Sequence, residues 1–222
     1  MKIALFDFCE TLANFQTADP FVSFCVDNHG NFKTHFRRFA LTVLIRFKFL
    51  AILKKVFSLK TTSKQLLLSL IRGMKREDIE YCGQRYYNEI VKPNLIKEMI
   101  DILKQMQSEN YEVYIVSGGY NVYLQYFMED FQIPSSNLLC SCLGFKDDIC
   151  TGKLTNIDCM GKQKVVLLNS LFNHSDVESI AFSDSKSDIP FLDWAGEAFI
   201  VRRSDRPSWD IQKKYKEIVW KR

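Results

Sequence analysis

The sequence predicts an α/β fold: a parallel sheet flanked by helices, with an all-helical module inserted after the first strand. Three observations carry this. Short apolar runs of strand length alternate with helical patterns, as in strand–helix–strand units. Three of those runs end in polar residues, Asp7, Ser117 and Asp184. The long stretch between the first run and the second shows helical periodicity and little strand pattern.

Taken in order, Lys2 to Phe8 is a short apolar run interrupted only by Asp7, which reads as a buried strand. Tyr111 to Val116 reads as a second strand, followed by Ser117-Gly118-Gly119. Ile180 to Phe182 is a third, followed by Ser-Asp-Ser, and Ala198 to Val201 a fourth. Helical patterns fall at Asn94–Gln107, Asn121–Phe131, Lys164–Phe172 and Ser187–Ala195. Pro190 lies in the first turn of the last, where proline is tolerated. In parallel sheets of this kind ligands bind at the carboxyl ends of the strands. The convergence of Asp7, Ser117 and Asp184 on those ends is therefore the first functional signal. Residues 15–91 are expected to form the helical insert, and 1–14 with 92–222 the catalytic core.

Composition narrows the class. The chain has 222 residues, 47% hydrophobic and 25% charged, proportions that exclude a low-complexity or disordered chain. The most apolar stretch, Phe39 to Leu53, is broken by Arg46 and Lys48 and is shorter than a membrane span requires. The N-terminal apolar run is too short for a signal peptide, so a cytoplasmic protein is expected. Seven cysteines lack metal-site spacing and are expected to be reduced and mostly interior, with Cys140 and Cys142 on one face of a strand. His29, His35 and His174 show no pattern of metal binding or catalysis.

Four short motifs carry the chemistry: Asp7-Phe8-Cys9-Glu10-Thr11, Val116-Ser117-Gly118-Gly119-Tyr120, Gly161-Lys162-Gln163-Lys164 and Ser183-Asp184-Ser185-Lys186-Ser187-Asp188. In that order they resemble the four motifs of the haloacid dehalogenase (HAD) superfamily of phosphohydrolases, and the second is close to the phosphoserine phosphatase branch. The resemblance implies a Rossmann-like HAD core with a C1 helical cap, Mg2+ dependence and a small phosphorylated substrate. It implies roles residue by residue. Asp7 is the nucleophile. Asp7, the Cys9 backbone carbonyl and Asp184 hold the metal. Ser117 and Gly118 bind phosphate, Lys164 neutralises the transferring oxygens, and Asp188 orients Lys164 or a water. The branch often has Gly-x-x-Lys in its third motif, which favours Lys164 over Lys162. Phosphoryl transfer needs such positioning and charge neutralisation, and magnesium takes hard oxygen ligands.

Cys9 departs from the family pattern, which has a second Asp there to protonate the leaving group and activate water. A thiol among carboxylates stays neutral and serves poorly as an acid or base. Three outcomes stay open: Glu10 or the substrate supplies the proton, the aspartyl-phosphate is long-lived or passes to an alcohol, or the protein binds phosphate ligands without turnover. The resemblance also makes Thr17 and Asp19, in the region just past the first motif that faces substrate in that branch, candidates to bind a substrate hydroxyl or amine, while Asp19 could equally cap a helix.

The net charge of +4 hides an asymmetry. From Asn28 to Arg76 there are twelve Lys and Arg and no acid, so that stretch sums to +12 and the remainder to −8. Phe32, Phe36, Phe39, Phe47, Phe49 and Phe57 are interleaved with the cations. A solvated cap face and a surface for an anionic partner both fit. The expected partners are an anionic phosphorylated substrate and peripheral membrane contact through this cap, and not nucleic acid.

Overall fold

A computed structural model describes residues 1–46 and 62–221. The four expected strands form the middle of a six-stranded sheet. They are β1 (Lys2–Phe6), β2 (Glu112–Tyr120), β6 (Glu178–Ser183) and β7 (Glu197–Arg203). Two more strands close the edges: β3 (Leu138–Ser141), where only the Cys140–Cys142 spacing pointed to a strand, and β8 (Lys216–Trp220), not expected from sequence. The order is β3-β2-β1-β6-β7-β8, and every pair is parallel. β1 lies at the centre, with Phe6 opposite Ile115 on one side and Phe182 on the other.

The continuous apolar reading of β1 follows from burial on both faces. Alternate side chains point to opposite faces. Ala4 and Phe6 join one core, in which Phe6 stacks on Phe182 with ring centroids 4.5 Å apart. Ile3 and Leu5 join the other, with Leu168, Phe191 and Leu192.

Between β1 and β2 the described residues form α1 (Ala18–His29), α2 (Phe32–Arg46), α3 (Ser63–Leu68), α4 (Arg76–Tyr86) and α5 (Lys97–Ser108). Thr62 and Gln65 cap α3 reciprocally, each side chain bonding the other's backbone N–H. α5 starts three residues later than the periodicity suggests, because Lys92–Asn94 forms a separate turn around Pro93. The remaining helices are α6 (Asn121–Asp130), α7 (Lys162–Leu171) and α8 (Ile189–Trp194).

An antiparallel hairpin was also missed: β4 (Leu143–Lys146) and β5 (Ile149–Leu154). Asp147 and Asp148 turn it with φ of 49° and 59°, the left-handed pair a two-residue hairpin needs. It pairs with the segment before α4, where the Cys150 N–H donates to the Met74 carbonyl at 2.8 Å. All seven cysteines are free, and all but the half-buried Cys142 are buried. Cys142 lies between β3 and β4, so it shares no strand face with Cys140, contrary to expectation.

α4 crosses close to the start of α6 at Gly83. A Cβ added there would meet the Val122 carbonyl oxygen at 2.1 Å. In an open helix alanine would gain about 1 kcal/mol over glycine. Here a backbone oxygen blocks it, so Gly83→Ala is expected to destabilise by about 1–3 kcal/mol. A lower urea midpoint would show this, and a higher one would contradict the close approach.

Candidate active site

The carboxyl ends of β2, β1 and β6 place Ser117, Asp7 and Asp184 side by side, because these strands are neighbours in the sheet. They line a cavity of about 310 Å³ together with Cys9, Gly118, Lys164 and Asp188. β2 runs on through Ser117-Gly118-Gly119 to Tyr120, where a loop was expected. Its register against β3 slips between Ser117 and Tyr120, an irregularity at the edge of the site.

Lys164 is the centre of the charge arrangement. Gly161, with φ of 53°, begins α7 and Lys164 lies in its first turn. Its Nζ donates to Asp7 Oδ1 and to Asp188 Oδ2, each at 2.6 Å, and all three side chains are buried. Lys162, its sequence rival, is exposed. Burial opposes the charge on Lys164, yet Asp7 and Asp188 hold its pKa well above the usual lysine range. Asp188 Oδ2 also accepts from the Ser183 hydroxyl at 2.8 Å.

Thr11 bridges the two metal-candidate carboxylates. Its hydroxyl lies 3.2 Å from Asp7 Oδ2 and accepts the Asp184 N–H at 3.0 Å. Burial pushes the Asp7 carboxyl up, against the pull of Lys164. Burial, and then the charges of Asp7, Glu10 and Asp188, push Asp184 up to about 8. Three carboxylates therefore face one ammonium, which leaves a cluster short of positive charge. A hard divalent cation fits that deficit. No trio of His, Cys, Asp or Glu side chains forms a metal cage among the described residues. Two carboxylates with a backbone carbonyl suit magnesium, which keeps water and substrate oxygens in its shell.

Removing the ammonium would leave Asp7 and Asp188 buried and unpaired. Lys164→Met is expected to lower stability by about 3–5 kcal/mol. The urea midpoint checks this, and an unchanged midpoint would mean the cluster is not buried as described.

The two candidates past the first motif separate. Asp19 lines the cavity. Thr17 does not, which corrects its expected substrate contact: it is fully buried behind Cys9. Its hydroxyl lies 2.7 Å from the Tyr123 hydroxyl and 3.1 Å from Cys9 Sγ, and its carbonyl accepts from Tyr86. Burial, and then the charge of Asp7, push the Cys9 thiol up to about 11. Cys9 is thus a neutral thiol at the cavity wall.

Glu10 sits at a φ of 56°, outside the cavity lining. Burial would raise its pKa, but hydrogen bonds from Gln16 at 2.8 Å and Arg206 at 2.5 Å hold it below the usual range. It is engaged elsewhere and ionised, which counts against its replacing the absent acid.

Sequence reading missed Gln16, Ser63, Lys64, Met160, Ser185 and Ser187 as wall residues. Lys64 is the most consequential. From α3 its Nζ donates to the Gly118 carbonyl at 2.6 Å and to Asp158, tying the helical insert to the phosphate-motif strand. Nothing in sequence set it apart from the eleven other cations of its stretch.

The chain matches the haloacid dehalogenase-like hydrolase family over residues 4–193. No curated protein matches it. Among solved structures it resembles a protein with unknown function from Bordetella pertussis Tohama I, with a TM-score of 0.76 and 17% identity, over 98% of this chain and 97% of that one. It also resembles a phosphoserine phosphohydrolase-like protein from Francisella tularensis (TM-score 0.61, 18% identity, 91% and 88% coverage). A phosphoserine phosphatase in its apo form aligns with a TM-score of 0.59 and 19% identity, covering 90% of this chain and 86% of that one. At these identities the likeness is one of fold, and it agrees with the family match: the chain belongs to the haloacid dehalogenase-like hydrolases.

Proposed function

We propose that this hydrolase is a magnesium-dependent phosphatase that cleaves a small phosphomonoester through an aspartyl-phosphate on Asp7. The observation that carries the reading is the buried Asp7–Lys164–Asp188 chain of 2.6 Å contacts at the mouth of the central strands, with Asp184 beside it. Residues 15–91 act as a cap over a core of 1–14 and 92–222. A cavity of about 310 Å³ is at the small end for ligand sites and suits a phospho-amino-acid, an amino-alcohol phosphate or a sugar phosphate.

In this reading an Asp7 carboxylate oxygen attacks phosphorus in line, and the ester P–O bond breaks. The alkoxide leaves with a proton taken from water or from the substrate. Water then attacks phosphorus and splits the Asp7–phosphate bond, releasing inorganic phosphate. Lys164 offsets the repulsion between carboxylate and phosphate. Ser117 and the Gly118 backbone hold phosphoryl oxygens. Asp188, aided by Ser183, holds Lys164 in place. Asp7, Asp184 and the Cys9 carbonyl would hold magnesium, which supplies charge neutralisation at the phosphoryl group.

One observation favours a second reading, a slow phosphatase or a phosphotransferase to an alcohol. Cys9 offers a neutral thiol where the family has a carboxylic acid, and Glu10 is tied to Arg206. Dephosphorylation then lacks its base, and the phosphoenzyme lives longer. The test of the main reading is phosphate release from a panel of phosphomonoesters, with magnesium and with a chelator. Release that depends on magnesium supports it. No release from any ester, with the protein folded, counts against it.

A further inference from the structure

We infer that α2 docks the protein onto the surface of an anionic phospholipid bilayer, through Phe36 and Phe39 together with Lys33 and Arg37. The helix has two sides. On its inner side Leu41 packs against the main core. Arg38 faces inward too, donating to the Ser23 carbonyl at 3.2 Å and to Asp27 at 2.6 Å. Steps of about 100° per residue put Phe36 and Ala40 on the opposite side, with Phe39 on one flank of it and Lys33 on the other, while Arg37, about 40° round from Leu41, lies exposed at the margin. Phe36 and Phe39 are 65% and 68% exposed. Residues three apart on a helix are neighbours, so these two rings form a patch rather than scattered apolar residues.

The charge around the patch is of one sign. α2 contains no Asp or Glu, and none occurs anywhere from Asn28 to Arg76. The nearby acid of α1, Asp27, is engaged by Arg38 and lies 3.9 Å from His35. A bilayer carrying anionic headgroups meets both parts of this surface: phosphates for Lys33 and Arg37, and the acyl boundary for the phenyl rings. Duplex nucleic acid, with its bases stacked inside, would take the cations and leave the rings in water.

The sequence that follows keeps the same character. From Arg46 to Lys60 it has Phe47, Phe49, Leu50, Ile52, Leu53 and Phe57, with five Lys and Arg and no acid. Most of that stretch lies outside the described residues and contributes here as composition alone. No described helix is long and apolar enough to cross a membrane, so the contact proposed is with the surface. α2 packs beside α3, whose Ser63 and Lys64 line the cavity, so a bilayer held at α2 lies next to the cap element that walls the site.

Sedimentation of the full chain with vesicles tests this. One set is phosphatidylcholine alone; the other is phosphatidylcholine with phosphatidylglycerol at about three to one. The expected result is binding to the anionic set, weakened by salt and much weaker on the neutral set. Phe36→Ser with Phe39→Ser should weaken it about tenfold per ring. Lys33→Gln and Arg37→Gln should each weaken it about fivefold. Circular dichroism and turnover of a soluble ester should stay unchanged in these variants, which separates lost docking from lost folding. Failure to bind anionic vesicles overturns the inference. So does binding that survives the double phenylalanine change, or binding to a single-stranded oligonucleotide in preference to the vesicles.

Discussion

Replacing Asp7 with asparagine is expected to abolish phosphate release, by on the order of 10⁴-fold or more, and to leave the fold intact. The amide keeps the shape of the carboxylate but cannot form the acyl phosphate. The structural consequences are small because the buried charges rebalance. Burial already disfavours the Asp7 carboxylate, and Lys164 keeps its second partner, Asp188, at 2.6 Å. Thr11 retains the Asp184 N–H at 3.0 Å. A melting temperature within a few degrees of the parent, with turnover gone, would place the effect in the chemistry. Retained turnover would mean that the nucleophile lies elsewhere.

The second large effect runs in the opposite direction. Cys9→Asp is expected to raise turnover by about 10²–10⁴-fold, the usual worth of a positioned general acid–base. The site can take the carboxylate. Cys9 Sγ already lies 3.1 Å from the Thr17 hydroxyl and accepts the Thr17 N–H at 3.5 Å, so an aspartate there finds two donors. Those donors favour its charged form, while Asp7 nearby opposes it. The thiol it replaces is held neutral up to about 11 by burial and by Asp7. Steady-state kinetics on the best ester of the panel would measure the gain. An unchanged rate would show that proton transfer at this position does not limit turnover.

What the sequence could reveal follows from where burial falls. β1, β2, β6 and β7 are interior strands of a parallel sheet covered on both faces, and such strands are written as continuous apolar runs. β3 is an edge of four residues. β8, Lys-Glu-Ile-Val-Trp, is largely exposed, so neither carries that signal. The hairpin's two aspartates were the available clue, since both adopt positive φ. At the site, Asp7, Ser117 and Asp184 were legible because strand ends fix them. Lys164 was legible because the third motif, Gly161 to Lys164, has the Gly-x-x-Lys spacing of the branch it resembles, and Gly161 caps the start of α7. Thr17 departs from its expected place for a physical reason: the branch the chain resembles has substrate-facing residues in this region, but the start of α1 turns Thr17 inward against Tyr86 and Tyr123. Lys64 needed the tertiary fold, since its partners Gly118 and Asp158 lie far along the chain.

The account rests on a phosphoryl group carried by Asp7 and released slowly for want of a general base at position 9. Acid quenching during steady-state turnover, followed by mass spectrometry of the N-terminal peptide, tests it most directly. The expected result is phosphate on Asp7 in a substantial fraction of the wild-type protein and in much less of the Cys9→Asp variant. Turnover with Asp7 unmodified, or phosphate found on another residue, would contradict it.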